Sequence, residues 1–270
     1  MLHLDATCDG ADPFLMSGLD SITEFVLGNV KLPSENADDI IPFLEEMKQL
    51  FGDPVAAVHD RGAGIIKVVT KVFPNTPDFI CHYHFLRDVG KDLLGTEYDK
   101  IRNRLRKHGI TGKLRAQARK LKKVIDDHPQ LIEDFASSLE NEIASESSIE
   151  FIPTISAYAL ILWILDGKNQ DHGYGFPFDR PYFSFAQRLC SIYGRLEQIK
   201  HIELRGQWRD NRPLYRLSCE LEQVFCDKIL RRTLVETESK IQVFDELRDA
   251  MRLAPKSGSQ GLNCDGADDD

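Results

Sequence analysis

Leu2–Leu32 reads LHLDATCDGADPFLMSGLDSITEFVLGNVKL and is followed by Pro33-Ser34-Glu35-Asn36. Leu2–Ala6 is a short apolar run with one carboxylate, Asp5, inside it. Cys8-Asp9-Gly10-Ala11-Asp12-Pro13 is a dense turn signal, and Phe14–Leu19 and Phe25–Leu32 are two further strand-length runs. Three strands joined by short polar turns predict an antiparallel meander.

Outward from the meander, Ile40, Leu44, Met47 and Phe51 fall at helical spacing. A helix is expected to begin at Asp38 or Asp39, because Pro42 is tolerated without cost only in a first turn. Gly52 and Pro54 end it. Val55–Val58 is a β-branched run that stops at His59-Asp60-Arg61-Gly62. Ile65–Phe73 is a second amphipathic helix, and Phe79–Cys81 a fifth strand. The expected order is β-β-β-α-β-α-β, an α/β unit over residues 1–88.

After Phe85 the pattern becomes helical. Helices are expected over 97–107, 111–126, 129–144, 149–165, 183–199, 214–230 and 236–253, forming a second region over 89–254. The most apolar run, Ile155–Leu165 (ISAYALILWIL), is eleven residues, too short for a membrane span of ~20, and reads as a buried core helix. Residues 255–270 (PKSGSQGLNCDGADDD) read as a flexible acidic tail.

The chain has 270 residues, 42% of them hydrophobic, with 15 Phe, 7 Tyr and 2 Trp, which excludes collagen-like, low-complexity and wholly disordered classes. Six scattered cysteines fit a reducing compartment better than a disulfide framework. The net charge of −9 argues against a nucleic-acid partner only on average. Residues 100–123 carry eleven Lys and Arg and no acid, so the other 246 residues hold 23 cationic and 43 acidic side chains. Arg102, Arg104, Arg106, Lys107, Lys113, Arg115, Arg119, Lys120, Lys122 and Lys123 are candidate contacts to a phosphate backbone. With no aromatic in the segment, duplex contact is favoured over stacking on single strands. The alternative is a solvated surface that neutralises the acidic remainder.

A carboxylate within a core strand is costly unless it is paired, neutral or holding a cation, which singles out Asp5. Asp60 ends the fourth strand. If that strand runs beside the first, the two carboxylates become neighbours able to share divalent cations. Taken alone, Asp60 before Arg-Gly also suits a turn former or helix cap.

LHLDAT with Asp5, AAVHDRGAG with Asp60, and ICHYHFLRDVGKDLL with a Cys-x-x-His pair at Cys81 and His84 together resemble the DDE transposases of the Mutator-like group. The resemblance covers roughly residues 1–95. It implies a ribonuclease H-like core followed by an all-helical insertion, with two Mg²⁺ or Mn²⁺ ions held by three carboxylates for cleavage and strand transfer of duplex DNA. Asp5 would bridge the metals and Asp60 would bind one. It further implies double-stranded DNA as partner, a homo-oligomer for the full-length enzyme, and a cytoplasmic setting, nucleoid-associated if bacterial, without a membrane.

The expected third acid, a Glu after an Asn-rich stretch, has no match. Glu220 and Glu222 are weak substitutes on the solvated side of a late helix. A start within the first strand and an acidic end are expected of a piece of a longer transposase, inactive alone. The alternatives are a non-enzymatic DNA-binding or oligomerising remnant and a nuclease of RNA/DNA hybrids. For Cys81 and His84, structural zinc lacks a second ligand pair, and a nucleophilic dyad lacks visible oxyanion-hole glycines. Cys190, Cys219 and Cys226 are expected to be small buried hydrophobes.

Overall fold

The computed structural model describes residues 1–7, 13–60, 62–130, 133, 146–169, 173–202 and 212–251. The expected turn at Cys8–Pro13 (apart from Pro13 itself), Arg61, nearly all of the helix expected over 129–144, and the tail over 255–270 lie outside them.

The chain divides into two compact units, Met1–Val89 and Gly90–Asp270. The first is α/β and carries a five-stranded mixed sheet: β1 (Leu2–Thr7), β2 (Phe14–Asp20), β3 (Phe25–Leu32), β4 (Ala57–His59) and β5 (Asp78–Ile80), in the order β3-β2-β1-β4-β5. β1 pairs antiparallel with β2, and β2 with β3, so the meander is present. β4 runs parallel to β1 with Leu2 opposite Ala57 and His3 opposite Val58, and β5 runs parallel to β4.

Helix α1 (Ala37–Phe51) and α2 (Ala63–Val72) bury Ile40, Phe43, Leu44 and Met47, and Ile65, Val68, Val69 and Val72. These pack with Leu2, Leu4, Met16 and Leu32 into one core. Strand alternation places Leu2 and Leu4 in that core and turns His3, Asp5 and Thr7 to the other face. α1 begins at Ala37, slightly earlier than expected, so Pro42 lies in its second turn. Asp38 and Asp39 in the first turn complement the helix dipole, and the Ser34 hydroxyl donates to Asp39 at 2.6 Å.

The second unit is helical among the described residues. It contains most of α3 (His82–His108), then α4 (Ile110–Asp126), α5 (Glu146–Asp166), α6 (Pro181–Ile202), α7 (Arg212–Phe225) and α8 (Lys228–Ala250). Its core draws Ile101, Leu105, Leu114, Ile161, Phe185, Leu189, Leu217 and Leu221 from these helices. The helix expected from 97 begins fifteen residues earlier. Gly90 and Gly95 weaken the helical signal there, but a Cβ at Gly90 would collide with Pro177 and Phe244, so packing requires the glycine.

The single helix expected over 214–230 breaks at Cys226. Asp227 caps α8 by accepting from the Ile229 and Leu230 N–H groups, which leaves Cys226 exposed rather than buried. The apolar run 155–165 is helical with Ala157, Ile161 and Ile164 buried, while Leu162 and Trp163 are each 44% exposed. Among the described residues no helix is long and apolar enough to cross a membrane.

Candidate functional site

Continuing the β1–β4 register past its last pair sets Asp5 across from Asp60 on adjacent strands, which lie about 4.8 Å apart in a sheet. The chain leaves the carboxyl end of β1 towards β2 and leaves β4 towards β5, on opposite sides. The two connections thus leave neighbouring strand ends in opposite directions, the topological position at which open sheets bind ligands.

Asp5 is not buried. Its side chain is 52% exposed, so the cost of a buried charge does not apply to it, and its neighbours are what distinguish it. His84 Nε2 lies 3.7 Å from Asp5 Oδ1, within ion-pair reach but beyond a hydrogen bond. Asp60 is part-buried, and its Oδ1 accepts from the Gly62 N–H at 2.9 Å. Asp60 therefore does form the turn that starts α2, and this uses only one of its two carboxylate oxygens.

A third carboxylate, Glu35 in the β3–α1 loop, was not singled out in the sequence. A Cβ at Gly64 would collide with the Glu35 carbonyl oxygen, so that glycine in the first turn of α2 lets the loop lie close. Burial, then the negative charges of Asp60 and Asp5, push the Glu35 carboxyl above its ordinary value. The local signal, a Glu between a strand end and a helix cap, is common to exposed loops and gave no reason to select it.

Cys81 and His84 belong to the same neighbourhood. The Cys81 N–H donates to the His59 carbonyl at 2.8 Å, continuing the ladder beyond β5, and the residue immediately precedes α3. Its carbonyl accepts the first helical bond, from Phe85 at 3.0 Å. Burial disfavours its thiolate, but hydrogen bonds from His3, the His84 N–H and the His84 side chain outweigh it and bring the pKa down to about 6. Reciprocally, the Cys81 sulfur raises the pKa of His3. The Cys-x-x-His spacing is thus the spacing of a helix cap: residue 81 receives the N–H of residue 84, whose imidazole reaches back to the sulfur and to Asp5.

Among the described residues no three of His, Cys, Asp and Glu are grouped so as to hold a metal ion by themselves. An oxygen-only pair of carboxylates nevertheless suits Mg²⁺ or Mn²⁺, which bind through one or two carboxylates and complete their shell with water and substrate phosphate. The elevated Glu35 shows that negative charge accumulates here.

The basic segment forms the end of α3, a left-handed elbow at Gly109 (φ 59°) and α4. Its cations are not equivalent. Arg104 Nη2 lies 2.6 Å from Asp227, Lys113 contacts Glu220 at 3.3 Å and Gln223 at 2.9 Å, and Lys122 pairs with Asp126 at 2.7 Å. Arg102 reaches Asp99 only at 3.9 Å. Arg106, Lys107, Arg115, Arg119, Lys120 and Lys123 are exposed. Glu220, a weak candidate for the third acid, is the ion-pair partner of Lys113. No protein-family model matches the chain, and neither does any curated protein.

Proposed function

We propose that the chain is a DDE-type transposase unit of the Mutator-like kind, with a ribonuclease H-like core that cuts DNA phosphodiesters and a helical unit that contacts duplex DNA. The observation that carries this reading is the placement of Asp5 and Asp60 at adjacent ends of the parallel strands β1 and β4, where the chain diverges. The strand order, with three antiparallel strands and a fourth beside the first, supports the same core.

Asp5 and Asp60 would hold Mg²⁺ or Mn²⁺. When bound, such ions polarise a phosphoryl oxygen and lower the pKa of an attacking water or 3′-hydroxyl. His84, fixed by the cap at Cys81, stands 3.7 Å from Asp5 and limits the orientations that carboxylate adopts. Asp60 is held by the Gly62 N–H, leaving its second oxygen for the cation. Glu35 adds negative charge without being a preformed ligand.

The test is Mn²⁺ titration followed by paramagnetic resonance, paired with Mn²⁺-dependent nicking of plasmid DNA. Asp5→Asn and Asp60→Asn should each weaken Mn²⁺ binding at least tenfold and abolish any nicking. Unchanged binding and nicking in both variants would reject the assignment.

A second reading, a DNA-binding remnant without chemistry, is favoured by the lack of a three-ligand group among the described residues. It expects duplex binding with no Mn²⁺ uptake by the unsubstituted chain. Offering an RNA/DNA hybrid beside the duplex separates both from a hybrid nuclease.

A further inference from the structure

The helical unit has a cavity of about 350 Å³ at the α3–α4 elbow, lined among others by Arg106, Gly109, Thr111, Gly112, Lys168 and Tyr182. Lys168, just beyond α5, lies outside the basic segment in sequence but is carried into it by the fold. Its Nζ donates to the Thr111 hydroxyl at 2.7 Å and stands 5.0 Å from the Tyr182 ring centre and 4.6 Å from that of Phe185. Arg102 places its guanidinium carbon 5.7 Å from the other contributor to that wall, the Tyr182 ring.

The charges here are of one sign. Burial first, and then Arg115 and Arg106, push the Lys168 ammonium below its ordinary value, with only the Tyr182 hydroxyl opposing them. Among the described residues neither Arg106 nor Arg115 forms an ion pair, and the pair between Arg102 and the exposed Asp99 is long, at 3.9 Å. Cations gathered around a concavity repel one another unless an anion joins them. The chain also leaves room for one: a Cβ at Gly109 or Gly112 would meet nothing within 4 Å, and the first turn of α4 has no side-chain cap, so its N–H groups lack partners within the helix.

We propose that this cavity is a phosphate-binding site, in which Lys168, Arg106 and the Thr111 hydroxyl grip one phosphate group, with Arg115 and Arg102 supplying the surrounding positive field. The phosphate is either a backbone phosphate of duplex DNA or a free phosphate anion. For the first source the inference rests on the reading of the helical unit as a DNA-contacting one, and it narrows that contact from a whole segment to one pocket. It does not depend on Asp5, Asp60 or any metal.

The experiment uses the whole chain in EDTA, with fluorescence anisotropy of a labelled 20-base-pair duplex measured across a salt series. Lys168→Gln and Arg106→Gln should each weaken binding about five- to tenfold at 0.1 M salt and reduce the slope of log Kd against log salt by about one. Lys168→Arg should retain binding, and Arg195→Gln, an equal loss of charge at an exposed position on α6 outside the cavity lining, should change it less than twofold. Because binding is measured in EDTA, without metal or cleavage, a failure of the catalytic assignment leaves this result intact.

Phosphorus resonance of inorganic phosphate provides the second arm. Broadening by the unsubstituted chain, lost in Lys168→Gln and Arg106→Gln, without duplex binding would assign the site to free phosphate. Equal weakening by Arg195→Gln and the cavity variants would overturn the proposal in favour of diffuse attraction. So would the absence of both duplex binding and phosphate broadening. Far-ultraviolet circular dichroism verifies that each variant is folded, and Arg106→Gln alters only an exposed side chain.

Discussion

Replacing Asp227 by Asn tests whether Arg104 serves the fold of the helical unit rather than DNA. Asp227 has a side chain only 2% exposed. One of its oxygens accepts from the Ile229 and Leu230 N–H groups at 3.1 Å each, and the other from Arg104 Nε at 2.7 Å, with His108 Nε2 at 2.8 Å. Burial opposes its ionisation, but hydrogen bonds from His108, the Leu230 N–H and Arg104 prevail and hold the pKa at about 2, against an ordinary 3.8. At 1.36 kcal/mol per pKa unit, the ionised form contributes about 2 kcal/mol. A depressed carboxyl contributes in full above its unfolded pKa and loses that contribution as pH falls through the folded one. The stabilisation is therefore complete above roughly pH 5, about half of that at pH 3, and mostly lost at pH 2.

Asn keeps a cap acceptor, so Asp227→Asn should cost about 2 kcal/mol at pH 7 and about half as much at pH 3. Asp227→Ala should cost about 1 kcal/mol more through the lost cap. Urea unfolding followed by tryptophan fluorescence reports on this unit, since Trp163 and Trp208 both follow residue 89. A loss below about 0.5 kcal/mol at pH 7, or an equal loss at pH 7 and pH 3, would refute the reasoning. Arg104→Gln should then destabilise the unit without altering the salt slope of duplex binding.

Gly64→Ala should destabilise the first unit by about 2 kcal/mol despite alanine's better helix propensity, because the new Cβ meets backbone at Glu35 that no rotamer change can move; an unchanged urea midpoint would contradict this. Glu35→Gln should raise the thermal midpoint at pH 7 in the absence of metal. A carboxyl with a raised folded pKa stabilises only while protonated and is a cost once ionised, so a lowered midpoint would count against the three-carboxylate grouping. Iodoacetamide should label Cys81 with a pH midpoint near 6, moving upward in His84→Ala, whereas burial pushes the Cys190 thiol the other way; peptide mass spectrometry reads both, and a Cys81 midpoint above 8 would dismiss the cap geometry.

The elements of the first unit were legible because each has a local cause: period-two runs for the strands, period 3.6 for α1 and α2, and Gly and Pro between them. Asp5 and Asp60 were legible as a pair because strand order alone makes them neighbours. Glu35 was not, since what selects it is the approach of two loops permitted by Gly64, a relation across 29 positions that no window contains. The start of α3 was hidden by Gly90, which lowers helix propensity locally and is required by Pro177 and Phe244 much later in the chain. Asp227 carried a readable cap signal before Ile229 and Leu230, overridden by the continuous apolar spacing from Leu217 to Leu230. Charge density marked the basic segment but could not rank its members, because Asp227, Glu220 and Asp126 neutralise Arg104, Lys113 and Lys122 only once the chain is folded.

The cap at Cys81 and the carboxylate at Asp5 are one mechanical unit, and this gives the Cys-x-x-His spacing a physical reason. Were Cys81 replaced by Ser, the hydroxyl would still cap α3, but it would not carry the charge that the two histidines stabilise. Without that charge His84 loses its attraction to residue 81 and keeps only Asp5, 3.7 Å away. Cys81→Ser should then leave the helix content unchanged while the raised pKa of His3 falls back, seen by proton resonance of its imidazole. Cys81→Ala should remove the cap as well and lower the thermal midpoint, by about 1 kcal/mol of lost stability. If Cys81→Ser leaves the His3 titration where the unsubstituted chain has it, the charge on sulfur has no part in holding the histidines, and the motif acts by packing alone.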